Sequence, residues 1–166
     1  MKTKVFTLIL VFLVAFLLFF SKRVEAPERI ASPTLSTRDT VLFIELAVTE
    51  EERILGLGNR EAIGDDKGML FVFPKSDRHG IWMKGMLFPL DIIWLQASPI
   101  DANPKSRMPS NQDVELRVVD IKENVAPNTY PEVFLPKNNA SYVLEMKSGG
   151  ARKSGIDTGA VVIFKR

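Results

Sequence analysis

An unbroken apolar run near the N-terminus constrains the fold of this chain more than any other feature. Val5 to Phe20 reads VFTLILVFLVAFLLFF, with Thr7 as its one polar residue. A helix of that length spans about 24 Å, and Lys4 and Lys22 can snorkel across the difference from the ~30 Å hydrocarbon core. A helix packed in a globular core would show a polar face, which this run lacks. The sequence therefore predicts a segment that lies in a lipid bilayer.

The apolar run is either a retained anchor or a cleaved signal peptide. Val24 to Ala26 has small residues at a suitable spacing for a signal peptidase, but Pro27 would follow the cleaved bond. Lys22 and Arg23 also lie where a cleavage region is usually uncharged. We favour an anchor over residues 1–23, and the alternative is a protein secreted after cleavage. The short N-terminal tail favours an N-terminus in the cytoplasm and a body outside it.

Charge and composition exclude several functional classes. Four of the 22 basic residues flank the apolar run, which leaves 18 against 20 acidic residues in the body. A nucleic-acid binder needs a basic face, so no nucleic-acid partner is expected. The chain has no cysteine and one histidine, His79. Thiol catalysis, disulfides and cysteine-ligated zinc are excluded, and we expect neither a metal nor a cofactor.

The remainder of the chain divides into a tether and one domain. Residues 24–39 are polar and include Pro27 and Pro33, which is typical of a linker. Residues 40–166 carry enough Val, Ile, Leu and Phe for a single core. The sequence predicts a membrane-anchored domain held off the bilayer by a short linker.

Short β-rich segments dominate the predicted domain. β-branched and apolar runs bounded by Gly, Pro and polar turns predict strands at 40–48, 69–73, 81–84, 90–95, 114–121, 141–146 and 160–164. Thr49 and Glu52 form a capping box for a short helix that ends at Gly56, and 148–154 predicts a second one. The polar stretch Ser98 to Asp113 predicts a surface loop. The fold class is mainly β (α+β), a compact sandwich or partly open barrel with two short helices.

Several motifs, in one order along the chain, carry a family resemblance. They are ELAVTEEER with Gly-Leu at 45–57, GMLFVFP at 68–74, IWMK with PLDIIW at 81–94, YVLEM with Gly-Gly at 142–150, and SGIDTGAVV at 154–162. Together they resemble the family called domain of unknown function 192. The resemblance implies a compact β-rich fold that often follows a signal or a single membrane span, and it implies no reaction. Departures from the family pattern occur at Gly58, at Gly85-Met86 and in the 98–113 loop.

Two carboxylates are candidates for a functional site. On a strand, Asp91 shares a face with Ile93 and Leu95, so its carboxylate must find a partner or take up a proton. It is either an acid/base or ligand group, or a structural carboxylate held by a cation or by backbone amides. Glu145 shares its face with Val143 and is either a second catalytic carboxylate or a solvent-facing edge charge.

Cationic and aromatic side chains form a second candidate group. Lys84 shares a strand face with Trp82, and Arg53 and Arg60 lie on and just after the capped helix. These four residues suit the mouth of a site for an anionic or sugar ligand, with Trp82 as a stacking surface. The structural alternative is that the two arginines pair with Glu52, Glu61 or Asp91 and fix the helix to the sheet. His79, next to Gly80 in a turn, is expected to be exposed.

Three functions remain open at the level of the sequence. The favoured one is an extracytoplasmic binding or accessory module for a small polar ligand, an envelope component or an envelope protein, with the bilayer as a partner through Val5 to Phe20. The alternatives are a hydrolase that uses Asp91 with Lys84 or Glu145, and a structural component of an envelope assembly. No catalytic residue is assigned, because the sequence has no nucleophile motif.

Overall fold

The computed structural model describes residues 32–97 and 113–165. The predicted membrane segment and nearly all of the 98–113 loop lie outside these residues. Within the two described ranges, no helix is both long enough and apolar enough to cross a bilayer. In chain order the elements are β1 (Thr34–Ser36), β2 (Val41–Ala47), α1 (Glu50–Leu55), β3 (Lys67–Asp77), β4 (Ile81–Trp82), β5 (Leu90–Ala97), β6 (Val114–Val125), a 3-10 turn (Pro127–Thr129), β7 (Val133–Phe134), β8 (Ala140–Lys147), α2 (Gly150–Lys153) and β9 (Val161–Lys165).

Seven of these strands close into a barrel, in the order β1-β2-β3-β8-β5-β6-β9. The pair β2 and β3 is parallel, and every other neighbouring pair is antiparallel. β4 and β7 form a separate two-stranded sheet. The prediction of a mainly β domain with two short α-helices is confirmed, and the barrel is closed where the sequence had suggested a sandwich or a partly open barrel.

Closure depends on a strand within the predicted linker. Thr34–Ser36 pairs with β2 on one side and with β9 on the other, and Leu35 lies opposite both Leu42 and Phe164. All three of these side chains are buried. A three-residue strand with one apolar side chain carries no periodic signal, so the pattern of residues 24–39 predicted only a tether.

The sheet buries side chains on both of its faces. Along β8, Leu144 and Met146 point into the barrel, whereas Val143 points outward into a second apolar cluster. The same alternation on β5 sends Ile93 inward and Trp94 outward, which explains why its run of apolar residues is continuous. The outer cluster is covered by the segment that follows α1 and by the segment around β4.

Local signals account for α1 and for the course of β3. The Thr49 hydroxyl accepts from the Glu52 backbone N–H, and the Glu52 carboxylate accepts from the Thr49 N–H, so the predicted capping box is confirmed. The predicted end of a strand at Pro74 is wrong, because β3 continues to Asp77 through an irregularity after Val72. Proline cannot donate to a ladder, and strands accommodate it at such bulges.

Candidate functional site

A cavity of about 380 Å³ lies on the outer side of the barrel, between α1, β3 and the segment around β4. Its walls are mainly apolar and aromatic, as is usual for small-molecule sites. The lining residues are Glu50, Arg53, Ile54, Leu55, Gly56, Leu57, Phe71, Phe73, Pro74, His79, Gly80, Ile81, Trp82, Lys84, Met86 and Glu145.

Glu145 lies at the floor of this cavity. Its strand is central in the barrel, between β3 and β5, and its neighbours across the ladder are Met69 and Ile92, both buried. The side chain is 5% exposed. The possibility that Glu145 is a solvent-facing edge charge is therefore wrong, because β8 is not an edge strand and its outer face is covered.

The Glu145 carboxyl is incompletely satisfied. Burial raises its pKa to about 8, and a hydrogen bond from the Leu57 backbone N–H partly opposes that rise. Among the described residues, no group hydrogen-bonds to Oε2. A carboxyl with this pKa holds its proton at neutral pH, so it presents a hydrogen-bond donor as well as acceptors.

Glycine at position 56 allows the end of α1 to pack closely against Phe71 and this carboxyl. A Cβ at Gly56 would lie 3.2 Å from the Phe71 ring and 3.6 Å from Glu145 Oε2. Gly56 ends α1 at φ +51° and ψ −135°, a backbone conformation that residues other than glycine adopt only with strain. The helix end therefore passes close to the carboxyl without filling the cavity.

Arg53 fixes α1 to the sheet on one side of the cavity mouth. Its guanidinium donates to the carbonyl oxygens of Val48 and Val72, the latter at 2.9 Å, and lies 5.3 Å from the centre of the Phe73 ring. His79 adds to this aromatic wall, because its ring stacks on Phe73 with the two centroids 3.7 Å apart. The structure thus gives Arg53 a positioning role at the mouth.

Lys84 and Trp82 form the opposite side of the mouth. The Lys84 ammonium lies 5.7 Å from the centre of the Trp82 ring, and the tryptophan is 42% exposed. Within residues 32–97 and 113–165, Lys84 makes no ion pair with a carboxylate. This side of the mouth therefore carries a positive charge that the described part of the chain does not neutralise.

Arg60 lies away from the cavity. Its guanidinium makes a bidentate pair with Glu45, at 2.9 and 2.8 Å, and this hydrogen bonding lowers the pKa of Glu45. Arg60 is therefore in an ion pair, as the structural alternative expected, but its partner is Glu45 and not Glu52, Glu61 or Asp91. Arg60 is not brought together with Arg53, Lys84 and Trp82.

Asp91 is also kept apart from the cavity. Its carboxyl oxygens accept from the backbone N–H groups of Asn124, at 2.9 Å, and Ala151, at 3.0 Å, and the side chain is completely buried. Its ladder neighbour is Met146, on the inward face, whereas Glu145 lies opposite Ile92 on the outward face. The two carboxylates are thus on opposite faces of the sheet and cannot flank one bond of a substrate.

Four of the lining residues, Arg53, Trp82, Lys84 and Glu145, were site candidates from the sequence, whereas most of the apolar wall residues were not. Phe71, Phe73 and Gly56 were assigned only to a buried strand and a helix end. The available signal was the continuous apolar run of β3, which indicates a strand covered on both faces and hence a second layer. No group of three or more residues in the described ranges is arranged to hold a metal ion.

Comparisons with known proteins support the same fold. Residues 33–116 match the model of the family DUF192, described as Uncharacterized ACR. A Sinorhizobium meliloti 1021 protein, provisionally described as a transcription regulator, is 26% identical, with a TM-score of 0.61 over 78% of this chain and 89% of that one. A Novosphingobium aromaticivorans DSM 12444 protein of unknown function is 28% identical, with a TM-score of 0.61 over 82% of this chain and 90% of that one. No curated protein matches the sequence.

Proposed function

The chain belongs to the DUF192 family, and on that premise we propose that its barrel domain is a binding module that holds a small ligand in the cavity above Glu145. The single observation that carries this proposal is the Glu145 carboxyl: Glu145 lines an apolar cavity, and its buried Oε2 has no hydrogen-bond partner in the described chain. Burying a polar group without a partner costs about 1–3 kcal/mol. A ligand that supplies the missing hydrogen bond recovers part of that cost on binding.

The chemistry of the walls favours binding over catalysis. The described lining residues include no serine, threonine or tyrosine that could act as a nucleophile. The hydrolase alternative required Asp91 to work with Lys84 or Glu145, and Asp91 is bound to backbone amides on the other face of the sheet. A binding module requires only the cavity and its polar groups.

One observation favours the structural alternative. Trp82 lies opposite Val133 on the β4–β7 ribbon, and Val133 and Leu135 are about half exposed. An exposed apolar strip of this kind suits a contact with another protein. The strip borders the cavity at Trp82, so an envelope protein that covered it would also close the mouth.

We also propose that the domain is held at the outer face of a membrane by Val5 to Phe20. The apolar length of this run and the basic residues on either side of it support that arrangement. On this proposal, the full chain fractionates with membranes and its body is digested by protease added to intact cells. Recovery of the uncleaved chain in the soluble fraction would contradict the anchor.

The two tryptophans of the chain provide a direct test of the binding site. Trp82 lines the cavity and Trp94 is buried in the outer cluster, where its indole N–H donates to the His79 carbonyl. Full-length protein labelled with 5-fluorotryptophan, in lipid nanodiscs, therefore gives one signal at the site and one reference signal. Titration with 2-naphthoate should shift the Trp82 signal saturably and the Trp94 signal much less.

Paired variants localise that response to the cavity. The double substitution Ile54→Ala and Leu55→Ala removes two exposed apolar side chains from the cavity wall and should weaken 2-naphthoate roughly tenfold. The matched control, Val41→Ala with Val161→Ala, removes two similarly exposed side chains outside the lining. The proposal is wrong if Trp82 shows no saturable shift, or if both double variants weaken binding equally.

A further inference from the structure

Resting on the proposed function, we infer that the natural occupant is an elongated anion with a neutral hydrogen-bond acceptor at its far end. The acceptor receives a hydrogen bond from the Glu145 carboxyl, and the anionic group lies beside Lys84 at the mouth. A carbonyl or ether oxygen on a flat apolar body that ends in a carboxylate or sulfonate has this chemistry.

The deep end of the cavity favours a neutral acceptor. Glu145 lies between the apolar neighbours Met69 and Ile92, and no cation from the described ranges pairs with its carboxyl. The charged or titratable groups that line the cavity with it are Glu50 and Arg53 from α1, and His79 and Lys84 from the segment around β4. Because burial holds the pKa of Glu145 near 8, its carboxyl is mainly protonated at neutral pH and can donate a hydrogen bond.

The aromatic walls argue against a cationic ligand. A buried carboxyl surrounded by aromatic rings could in principle receive an ammonium group. Here, however, the rings of Phe73 and Trp82 already carry Arg53 and Lys84. A ligand cation would enter past Arg53 and Lys84, with Glu50 as the opposing carboxylate from α1, and would find those two rings already in contact with a cation.

Lys84 is the cation available to a ligand at the mouth. One guanidinium nitrogen of Arg53 already donates hydrogen bonds to the carbonyl oxygens of Val48 and Val72. Lys84 has no ion-pair partner among the described carboxylates, and its ammonium lies over the Trp82 ring, 5.7 Å from the ring centre. A ligand anion at this position gains an ion pair and displaces no protein carboxylate from Lys84.

Three matched compounds test the ligand class in the fluorotryptophan assay. They are 6-acetyl-2-naphthoate, its counterpart 6-ethyl-2-naphthoate without the acceptor, and (6-acetyl-2-naphthyl)methylammonium with the charge reversed. We expect the acetyl naphthoate to bind at least tenfold more tightly than either of the others. Its affinity should stay level up to about pH 7 and fall about tenfold per unit well above pH 8, as Glu145 loses its proton.

Substitutions separate the two ends of the ligand. Glu145→Leu cannot donate a hydrogen bond and should remove the preference for the acetyl compound, whereas Glu145→Gln donates at every pH and should remove the fall above pH 8. Lys84→Gln should weaken both naphthoates at least fivefold, and the exposed Lys122→Gln, outside the cavity, serves as its control.

The outcomes distinguish this inference from the proposed function. Tighter binding of the ammonium compound, equal binding of the ethyl compound, or an affinity that rises with pH would overturn the ligand class. If 2-naphthoate shifts the Trp82 signal and none of the three compounds does, the ligand class fails and the binding site remains. If 2-naphthoate also fails, the proposed function itself is wrong.

Discussion

Two buried carboxyl groups on neighbouring strands, those of Asp91 and Glu145, differ in their hydrogen bonding and in the roles that we assign to them. Asp91 accepts two backbone N–H hydrogen bonds, so both of its oxygens are engaged and it acts as a structural clamp between β5, β6 and α2. Glu145 has one such bond and an oxygen without a partner at the floor of the cavity. Unsatisfied buried polar groups are rare in native proteins, which makes Glu145 a candidate for a functional position.

Glu145 predicts a specific pH dependence of stability. Its pKa is about 8 in the folded chain and near the ordinary value of 4.5 in the unfolded chain. Between these values the folded state binds the extra proton, so raising the pH favours unfolding. Relative to Glu145→Gln, the unfolding free energy of the wild type should fall by up to about 1.4 kcal/mol per pH unit from about pH 5 to 8, and level off above that.

Urea unfolding across this pH range, in a mild detergent, measures that difference. The control variant Glu132→Gln removes an exposed carboxylate and leaves Glu145 unchanged. Its unfolding free energy should follow the same pH dependence as that of the wild type. Parallel pH profiles for the wild type and Glu145→Gln would mean that Glu145 is ionised in the folded protein.

Asp91 predicts a loss of stability without a loss of binding. Asp91→Ala leaves the N–H groups of Asn124 and Ala151 without acceptors in a buried position and should lower the unfolding free energy by about 3 kcal/mol. Asp91→Asn keeps one acceptor and should cost less. Because Asp91 lies on the opposite face of the sheet, folded Asp91→Asn should bind 2-naphthoate with the wild-type affinity, and a tenfold change would contradict its structural role.

Residue-level reasoning from the sequence reached part of this site. It singled out Arg53, Trp82, Lys84 and Glu145, and the structure brings these four around one cavity. It could not tell that Asp91 lies apart from these four residues. Alternation along a strand predicts which side chains share a face, but the segments that pack on that face come from distant parts of the chain. The burial of Glu145 depends on Gly56 and Leu57, almost ninety positions earlier in the chain.

At the scale of elements, α1 is held by its ends and not by a buried face. None of its residues is buried, and it is fixed by the capping box and by Arg53. The sequence predicted the capping box and the end at Gly56 because these signals are local. It could not predict that the helix covers a cavity, since the wall opposite comes from the β4 segment.

The capping box predicts a local effect on both the helix and the site. Thr49→Ala removes the acceptor for the Glu52 N–H and should destabilise α1 by about 1 kcal/mol. Amide hydrogen exchange in α1 should accelerate roughly fivefold, and 2-naphthoate should bind more weakly because one wall is less ordered. The exposed Thr158→Ala is the matched control. Unchanged exchange at Glu52 would show that the cap contributes little.

At the scale of the whole molecule, the barrel is completed by a strand that is easy to overlook. Strand periodicity predicted the main strands from β2 onward, because each has several alternating or continuous apolar residues. β1 has three residues, and it joins β2 to β9, which are far apart in the sequence. Pairing between distant segments leaves no local trace, so neither the closure of the barrel nor the parallel pair β2–β3 followed from the sequence.

The β1 strand predicts where the folded domain begins. A chain that starts at residue 32 retains the buried Leu35 and a closed barrel, whereas one that starts at residue 40 leaves β2 and β9 with open edges. The shorter chain should lose more than about 3 kcal/mol of unfolding free energy and aggregate, as size-exclusion chromatography and urea unfolding would show. Equal stability of the two chains would show that β1 is dispensable.

Both the pH dependence of stability and the proposed ligand binding depend on whether the Glu145 carboxyl is protonated. Side-chain ¹³C NMR measures that protonation state directly. The Glu145 carboxyl signal should titrate with a midpoint near pH 8 in the unliganded full chain. Excess 6-acetyl-2-naphthoate should move that midpoint upward, because it binds the protonated form. A midpoint in the ordinary range near 4.5, or one near 8 that the compound leaves in place, would contradict the account.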